Sequence, residues 1–289
     1  MAASLFERIL LATDLGSVVD RFTNCFPDLK ALGTKEILLV HALPHCSGQV
    51  PGECIEEKED KEIKEKLENQ AKLLENTGVS VKPMVVSGPA GTAILELADK
   101  EAISLVVVGT RQDVSKGRSL LGCTSYSVLH ETVKPTLIIP LDNKNEEESC
   151  LTHILHPTDF SETAEHAFLY VEALAAVSKC KVTLYHVHDK TRIDPYLRDR
   201  LPEFDKIDRE RMERLKAHLE FNQAGTCKVE LAYGIPAQKI LNAAKKGDYS
   251  LIVMGTQGRG FIPEIHLGST ANAIARHAPL SVLFVPLPR

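Results

Sequence analysis

An internal repeat is the feature that most constrains the fold of this 289-residue chain. Five short segments recur at a nearly constant offset, and the clearest pair is SLVVVGT from Ser104 and SLIVMGT from Ser250. A period this long indicates two copies of one domain rather than a solenoid of short repeats. We therefore predict one domain at 1–142 and another at 151–289, joined by a polar, solvated linker at 143–150.

Each copy alternates short β-branched apolar runs with helical patterns. This alternation predicts βαβ units, and the continuous apolar runs predict strands buried on both faces of a parallel sheet. The predicted fold class is α/β, with two tandem doubly wound (Rossmann-like) domains that carry helices on both faces of each sheet. Pro27 predicts a kink or break in the first helix. The predicted strands lie near 6–13, 35–42, 80–86, 104–109, 136–141, 152–158, 180–187, 226–232, 249–254 and 281–286, and the helices near 18–31, 57–77, 90–101, 123–132, 161–178, 204–224, 235–246 and 269–277.

Charge and composition argue against several classes of function. The net charge of -5 disfavours general nucleic-acid binding, and the absence of Trp disfavours a base-stacking surface for single strands. No apolar run approaches the length of a membrane span, and the N-terminus lacks the pattern of a signal peptide. Seven scattered cysteines without a CxxC pair predict reduced thiols and a cytoplasmic location.

The stretch from Leu251 to Thr270 joins an apolar strand, a glycine-containing loop and the start of a helix. Glycines allow close approach of the backbone and positive φ, and exposed N–H groups of a loop and a helix N-terminus attract anions. The spacing differs from the Walker and G-x-G-x-x-G patterns. It reads G-x2-G-x9-G-[ST], with Gly255, Gly258, Gly268 and Ser269. The alternative is a loop of turn glycines with Ser269 as a helix N-cap.

In an open parallel sheet, ligands bind beyond the carboxyl ends of strands where the winding direction reverses. The first strand of the second copy ends at Asp159 and the second at Val187. If the first and fourth strands are neighbours, one crevice collects Asp159, the glycine loop and Ser269. This arrangement favours a nucleotide, with phosphates on the loop, ribose or adenine on the carboxylate, and the base against Val187. Asp159 as a helix N-cap and Val187 as a core residue are the alternatives.

Several segments of the second copy resemble the universal stress protein family: HPTDFSETAEHA, the strand end HVHD, YGIP, and LIVMGTQG followed by LGST. The resemblance covers essentially the whole chain. It implies the strand order 3-2-1-4-5 and binding of ATP or AMP, with Mg2+ as an optional companion of ATP. The implied adenosine contacts are Pro157, Asp159 and Val187, and the implied phosphate contacts are Gly255, Gly258, Gly268, Ser269 and Thr270. Thr158, Gly234, Gln257 and Arg259 complete the predicted nucleotide site, and Arg259 either screens phosphate charge or faces solvent.

The first copy departs from this pattern at two positions. Gln112 stands at the position of Gly258, where a side chain hinders phosphate approach. Cys123 stands at the position of Ser269 and offers only a weak S–H donor. We therefore predict a degenerate nucleotide loop that binds nucleotide weakly or not at all, although Arg111, Lys116 and Arg118 leave room for an anion. Asp14, Gly109 and Gly122 are retained.

The predicted function is a non-catalytic adenine-nucleotide-binding module in stress response or signalling. One alternative is a slow ATPase or a nucleotide-transferring enzyme of the same fold, and another is a nucleotide-free protein-interaction scaffold. Hydrolysis would need a base and a ligand for Mg2+, and Asp159 is the only obvious acid at the site. No catalytic residue and no metal site is predicted. The histidines and cysteines considered and set aside as ligands are His41, His45, Cys46 and Cys54, and His153, His156, His186 and His188.

The predicted partners are the adenine nucleotide and the chain itself. The resemblance implies pairing of the two domains through their last strands, 136–141 and 282–287, and allows a homodimer. Neither nucleic acid nor membrane is predicted as a partner. A basic loop at 188–203 is either a lid over the crevice or an ordinary exposed loop.

Overall fold

The computed structural model describes residues 5–27, 29–43, 57–111, 121–141, 149–189, 200–222, 225–259 and 267–288, with backbone alone at 57–60. The chain divides into two compact units, Met1–Glu147 and Glu148–Arg289. Several sequence predictions lie outside the described residues: most of the linker, most of the basic loop, and Gln112, Lys116, Arg118, His45, Cys46 and Cys54.

The first unit is a parallel sheet with interspersed helices. Its strand order is β3-β2-β1-β4-β5, and every neighbouring pair is parallel. Its elements are β1 Arg8–Ala12, α1 Val18–Cys25, β2 Glu36–Leu43, α2 Glu57–Glu75, β3 Ser80–Ser87, α3 Ala90–Lys100, β4 Leu105–Thr110, α4 Cys123–Glu131 and β5 Thr136–Pro140.

The second unit repeats the same topology, with the strand order β8-β7-β6-β9-β10 and parallel neighbours throughout. The doubly wound fold and the order 3-2-1-4-5 are therefore confirmed for both units. Its elements are β6 His153–Pro157, α5 Glu162–Ser178, β7 Lys181–His188, α6 Leu201–Phe221, β8 Cys227–Tyr233, α7 Pro236–Lys246, β9 Leu251–Gly255, α8 Ser269–His277 and β10 Ser281–Val285. Pairing of the two units through their last strands stays a prediction.

The core of the second unit explains where its crevice lies. Leu251, Ile252 and Val253 of β9 are fully buried, as expected for an apolar strand covered on both faces. β6 pairs with β9, with Ile154 opposite Leu251. The chain therefore leaves the sheet side by side after Pro157 and after Gly255, which is the arrangement that a shared crevice requires.

The break predicted at Pro27 is confirmed, because α1 ends at Cys25. Phe26 has φ -128° and ψ 71°, outside the helical region that a residue before proline avoids. The predicted extension of this helix to residue 31 is wrong, since the described residues beyond Pro27 form turns.

The cysteines differ in part from the prediction. Cys123, Cys180 and Cys227 are free thiols, whereas Cys25 and Cys150 are each in a disulfide bond. The expectation of seven reduced cysteines is wrong at these two positions, because spacing along the chain does not show which sulfur atoms approach each other in space.

Among the helices that the structure describes, none combines the length and the apolar character needed to cross a membrane.

Candidate functional site

A cleft of about 850 Å³ opens in the second unit beyond the carboxyl ends of β6, β7 and β9. This volume falls within the range of small-molecule sites. α6, α7 and α8 contribute the remaining walls. The cleft gathers eleven of the twelve predicted site residues: Pro157, Thr158, Asp159, Val187, Gly255, Gln257, Gly258, Arg259, Gly268, Ser269 and Thr270.

Asp159 fastens the glycine loop to the end of β6. One carboxylate oxygen, Oδ1, accepts hydrogen bonds from the backbone N–H of Ser161 at 3.1 Å and from its hydroxyl at 2.6 Å. The other, Oδ2, accepts from the backbone N–H of Arg259 at 3.1 Å. The N-cap of α5 is Ser161, whose hydroxyl accepts from Ala164 N–H. The alternative prediction that Asp159 is the N-cap of this helix is therefore wrong. Its Oδ2 faces the glycine loop.

The two ends of the glycine loop are held together by the backbone. Gly268 N–H donates to the carbonyl of Thr256 at 2.7 Å. A Cβ at position 268 would lie 3.4 Å from both Gln257 Cα and Thr256 O. The two backbone segments where the loop begins and ends, its neck, are therefore closely packed. This neck brings Gly258 and Ser269 to the same part of the cleft.

The loop glycines are required by space rather than by backbone conformation. Gly255, Gly258 and Gly268 all lack positive φ, so the predicted use of positive φ is wrong at these three positions. A Cβ at position 258 would lie 2.4 Å from Asp159 Oδ2. A Cβ at position 255 would lie 2.8 Å from the backbone carbon of Thr163 in α5. Close approach of backbone to neighbouring groups is therefore the reason for glycine at both positions.

The start of α8 offers unpaired donors to the cleft. Its N-cap is Gly268, with no side-chain cap, so Ser269 as the N-cap is wrong and Ser269 is instead the exposed first helical residue. The first N–H groups of a helix have no partner within the helix and carry its positive dipole end. Ser269, Thr270 and Ala271 present this terminus to the cleft, which suits an anion.

Arg259 lies at the rim of the cleft. Its side-chain Nε donates to the backbone carbonyl of Asp159 at 2.6 Å, while the residue stays exposed to solvent. The guanidinium is therefore anchored next to the loop rather than pointing freely into solvent, and its remaining N–H donors are positioned to meet a charged group.

Val187 and Gly234 occupy different surroundings from each other. Val187 is half-buried in the cleft wall, so it is a wall residue rather than a core residue. Gly234 does not line the cleft, because it forms the turn between β8 and α7. Its φ is +134°, which favours glycine, and its N–H donates to the His188 carbonyl at 3.0 Å. This turn directs Ile235 and Pro236 into the cleft.

One wall of the cleft was missed by sequence reasoning. Phe204, Ile207 and Arg211 line it from one face of α6, and Ile235 lines it from the start of α7. Ile207 and Ile235 are each 47% exposed, an unusual exposure for isoleucine that places apolar surface inside the cleft. The i, i+3, i+7 spacing along α6 marks a single helix face and is the signal that could have identified it.

The cleft contains more acidic residues than the sequence predicted. Asp189 and Asp208 line the cleft together with Asp159. The prediction that Asp159 is the only obvious acid at the site is therefore wrong, because two further aspartates line the cleft. Asp208 lies on α6, far along the chain from the first strand, and sequence adjacency did not indicate it.

The histidines of β7 lie against α6. His186 Nδ1 is 2.7 Å from the carbonyl oxygen of Thr158, and His186 Nε2 is 3.5 Å from Asp208 Oδ2. Burial lowers the pKa of His186, partly offset by the Thr158 carbonyl and by Asp208. His188 is buried beside it, with the two rings 4.8 Å apart. The shared face predicted for these two side chains matches this arrangement.

The other two histidines that were considered as ligands in the second unit, His153 and His156, make structural contacts. His153 is paired through Nδ1 with Asp248 at 2.9 Å and through Nε2 with the Thr183 hydroxyl at 2.9 Å. His156 is fully buried and donates from Nδ1 to the Val253 carbonyl at 2.8 Å, while its Nε2 has no hydrogen-bond partner. Burial lowers the pKa of His156 from 6.5 to about 4.

The depressed pKa of His156 predicts acid sensitivity of the second unit. Because the unfolded chain takes up this proton near pH 6.5 and the folded chain only near pH 4, stability falls as pH drops through this window. Between pH 7.5 and pH 5 we expect His156 to account for about 2 kcal/mol of lost unfolding free energy. Urea unfolding of wild type and His156→Asn at both pH values measures it, because asparagine keeps a donor for Val253.

Exposed His277, on α8, provides the matched substitution. His277→Asn should follow the wild-type pH dependence, while His156→Asn should lose about 2 kcal/mol less than wild type over the same interval. Parallel pH dependences for wild type and His156→Asn would show that the buried imidazole is not the source.

The corresponding region of the first unit is occupied differently. Asp14 forms an ion pair with Arg111 at 2.8 Å, and its other oxygen accepts from Gly16 N–H at 3.0 Å. Arg111 corresponds to Gln257 in the repeat, so here a guanidinium meets the carboxylate that the loop backbone meets in the second unit. Cys123, at the start of α4, is exposed.

These features define a doubly wound α/β protein with an open ligand cleft at the switch point of its second unit. The model of the universal stress protein family matches residues 5–140 and again residues 151–286. The chain therefore belongs to the universal stress protein family and carries two copies of its domain.

Individual relatives agree with this assignment. Universal stress protein MJ0577 of Methanocaldococcus jannaschii is 32% identical over 151 residues, covering 46% of this chain and 93% of that protein. A universal stress protein of Mycolicibacterium smegmatis is 28% identical over 212 residues, covering 73% and 70%. A crystal structure of a universal stress protein from Archaeoglobus fulgidus has a TM-score of 0.72 at 22% identity, covering 97% of this chain and 98% of that one, and it shows the fold alone.

Proposed function

We propose that the second unit binds an adenine nucleotide, ATP or AMP, and that the protein acts as a nucleotide-dependent module in stress response or signalling. The observation that carries this proposal is the placement of the glycine loop. Gly258 lies against Asp159 where an added Cβ would force the carboxylate to move, and Gly268 brings the start of α8 beside it. This cradle suits a phosphate group in close contact with the backbone.

The phosphate end of the cleft is built from neutral donors and one cation. Ser269 and Thr270 line the cleft at the start of α8 and supply backbone N–H groups and hydroxyls there, and Arg259 lies at the rim. A phosphate would therefore be held by hydrogen-bond donors and by the charge of Arg259, without a lysine dedicated to it. When ATP is the ligand, Asp189 is a cleft carboxylate that would help to hold a Mg2+ ion, and the ion would neutralise phosphate charge.

The opposite end of the cleft suits a nucleoside. Val187, Ile207 and Ile235 present apolar surface that would cover a base. Asp159 already accepts three hydrogen bonds, yet a carboxylate has about four acceptor sites. One remaining lone pair is sufficient for a ribose hydroxyl, so loop anchoring and ribose binding are compatible roles.

The enzymatic alternative gains from the structure, because Asp189 and Asp208 supply acids that the sequence did not place at the cleft. A slow ATPase would need one of them to orient water at the phosphates. The nucleotide-free scaffold is the remaining alternative and rests on the paired Asp14 of the first unit. A cytoplasmic location and homodimer formation stay predictions.

Calorimetric titration of the full chain with ATP, ADP and AMP tests the proposal. We expect one nucleotide per chain, bound by the second unit. Ser269→Ala should weaken binding by about tenfold, because a hydrogen bond to a charged group contributes about 1.5 kcal/mol or more. Phosphate release measured in the same samples separates binding from turnover.

Cys123→Ser is the matched control in the first unit and should leave the stoichiometry at one. Two sites per chain would contradict the assignment to the second unit. Absence of binding would favour the scaffold, and sustained phosphate release would favour the enzyme.

A further inference from the structure

We propose that His186, His188 and Asp208 form a binding site for a divalent transition-metal ion of the zinc class in the floor of the cleft. The three residues are at most 8% exposed, and their potential ligand atoms all lie within 4.8 Å of one another. The site is a feature of the β7–α6 contact and is separate from the phosphate end of the cleft. It departs from the sequence prediction of no metal site.

The separations between these groups fit ligands of one ion better than hydrogen bonds. Asp208 Oδ2 is 3.5 Å from His186 Nε2 and 3.8 Å from His188 Nδ1. Both distances exceed those of good N–H···O bonds. Two ligands of a tetrahedral zinc ion with bonds near 2.05 Å are separated by about 3.3 Å. The potential ligand atoms lie within 4.8 Å of one another, so ion binding would draw them together by a few tenths of an ångström at Asp208 and by at most about 1.5 Å elsewhere.

The hydrogen bonds of His186 orient its ring for this role. A backbone carbonyl can only accept, so Nδ1 facing Thr158 carries the proton in the neutral imidazole. Nε2 then presents its lone pair toward Asp208. Metal-ligating histidines commonly donate their second nitrogen to a carbonyl in this way, which fixes the tautomer and the ring orientation.

His188 has a corresponding outer partner. Its Nε2 lies 3.1 Å from Asp205 Oδ1, and Tyr233 hydrogen-bonds to the other oxygen of Asp205. Although that distance is short, neither buried atom makes a hydrogen bond, because the two groups are not aligned. A small rotation of His188 toward an ion at Nδ1 would align Nε2–H with Asp205. The unsatisfied pair is therefore the second observation that points to a ligand.

The donor set selects the class of metal. Two imidazoles and a carboxylate suit zinc and neighbouring transition metals, whereas Mg2+ prefers oxygen ligands and retains water. Three protein ligands leave a fourth position, which opens on the cleft that these residues line. Arg211 approaches only Oδ1 of Asp208, at 3.4 Å, and leaves Oδ2 to the ion.

The first unit shows what the position looks like without the site. His41 corresponds to His186 and makes the same contact, with Nδ1 2.8 Å from the Thr13 carbonyl. Leu43 stands where the second unit has His188. The first histidine of the pair therefore has a structural role common to both units, and His188 is particular to the second unit.

Titration of the chelator-treated full chain with Zn2+, in the absence of nucleotide, tests the site. A Cys123→Ser background removes the exposed thiol. We expect one Zn2+ per chain with micromolar or tighter affinity, and no competition from millimolar Mg2+. His186→Asn keeps a donor for Thr158 and removes the ligand nitrogen, and Asp208→Asn removes the carboxylate. Each should weaken Zn2+ binding at least 100-fold, while His41→Asn should leave it unchanged.

Co2+ substitution provides a reading that needs no change to the buried ligands. We expect the visible absorption of a tetrahedral Co2+ ion without a thiolate charge-transfer band. Failure of wild type to bind Zn2+, undiminished binding by both ligand variants, or a thiolate band would each overturn the proposal. Because nucleotide is absent from the titration, these outcomes are independent of the proposed function.

Discussion

Gly258→Gln is expected to abolish nucleotide binding by the full chain in calorimetric titration. The change installs the residue that the first copy carries at position 112. Its Cβ would lie 2.4 Å from Asp159 Oδ2, so either the carboxylate or the loop must move. Movement breaks the Arg259 N–H bond to Asp159 and places a side chain where a phosphate would meet the backbone. We expect a loss of at least 100-fold in affinity, about 2.8 kcal/mol.

A matched glycine substitution separates this local effect from a general one. Gly122→Ala lies at the loop–helix junction of the first unit, where Ser125 Oγ, at 4.0 Å, is the nearest atom of the described residues to the new Cβ. It should bind nucleotide as wild type does. Equal affinity of Gly258→Gln and wild type would contradict both the cradle and the assignment of the phosphates to it.

The α/β class and the two-domain organisation could be predicted from the sequence because they depend on local patterns, whereas the strand order of each sheet came from the family resemblance. Apolar runs alternating with helical periods indicate βαβ units, and the repeat indicates that the same domain fold occurs twice in the chain. The adjacency of β6 and β9 then follows from the family resemblance and places Asp159 beside Gly258. Eleven of the twelve predicted site residues share the cleft for this reason.

The α6 wall could not be predicted in the same way. A helical pattern gives the period of its apolar residues, but which face meets the cleft depends on how α6 packs across β7. Asp208 and His186 are 22 positions apart, yet their side chains approach to 3.5 Å only after this packing. Gly234 was predicted as a nucleotide contact but does not line the cleft. Glycine is needed at this position because the turn has positive φ.

Gly255→Ala is expected to destabilise the second unit by about 3 kcal/mol, the upper part of the range for overpacking a close-packed contact. The added Cβ would lie within 2.9 Å of the backbone carbon and oxygen of Thr163, in the first turn of α5. Backbone atoms cannot rotate away, so α5 must shift from β9. Thr163 also donates its hydroxyl hydrogen bond to the Gln257 carbonyl, which ties the helix to the glycine loop.

Gly109→Ala is the matched change in the first unit, because Gly109 holds the corresponding position at the end of β4. There the nearest atoms are side-chain carbons, Leu141 Cδ1 at 2.9 Å and Val18 Cγ2 at 3.2 Å. Side chains can change rotamer, so we expect a cost below about 1 kcal/mol. Differential scanning calorimetry of both variants measures the contrast. Equal destabilisation by the two changes would show that helix–strand backbone contact is not what requires glycine at position 255.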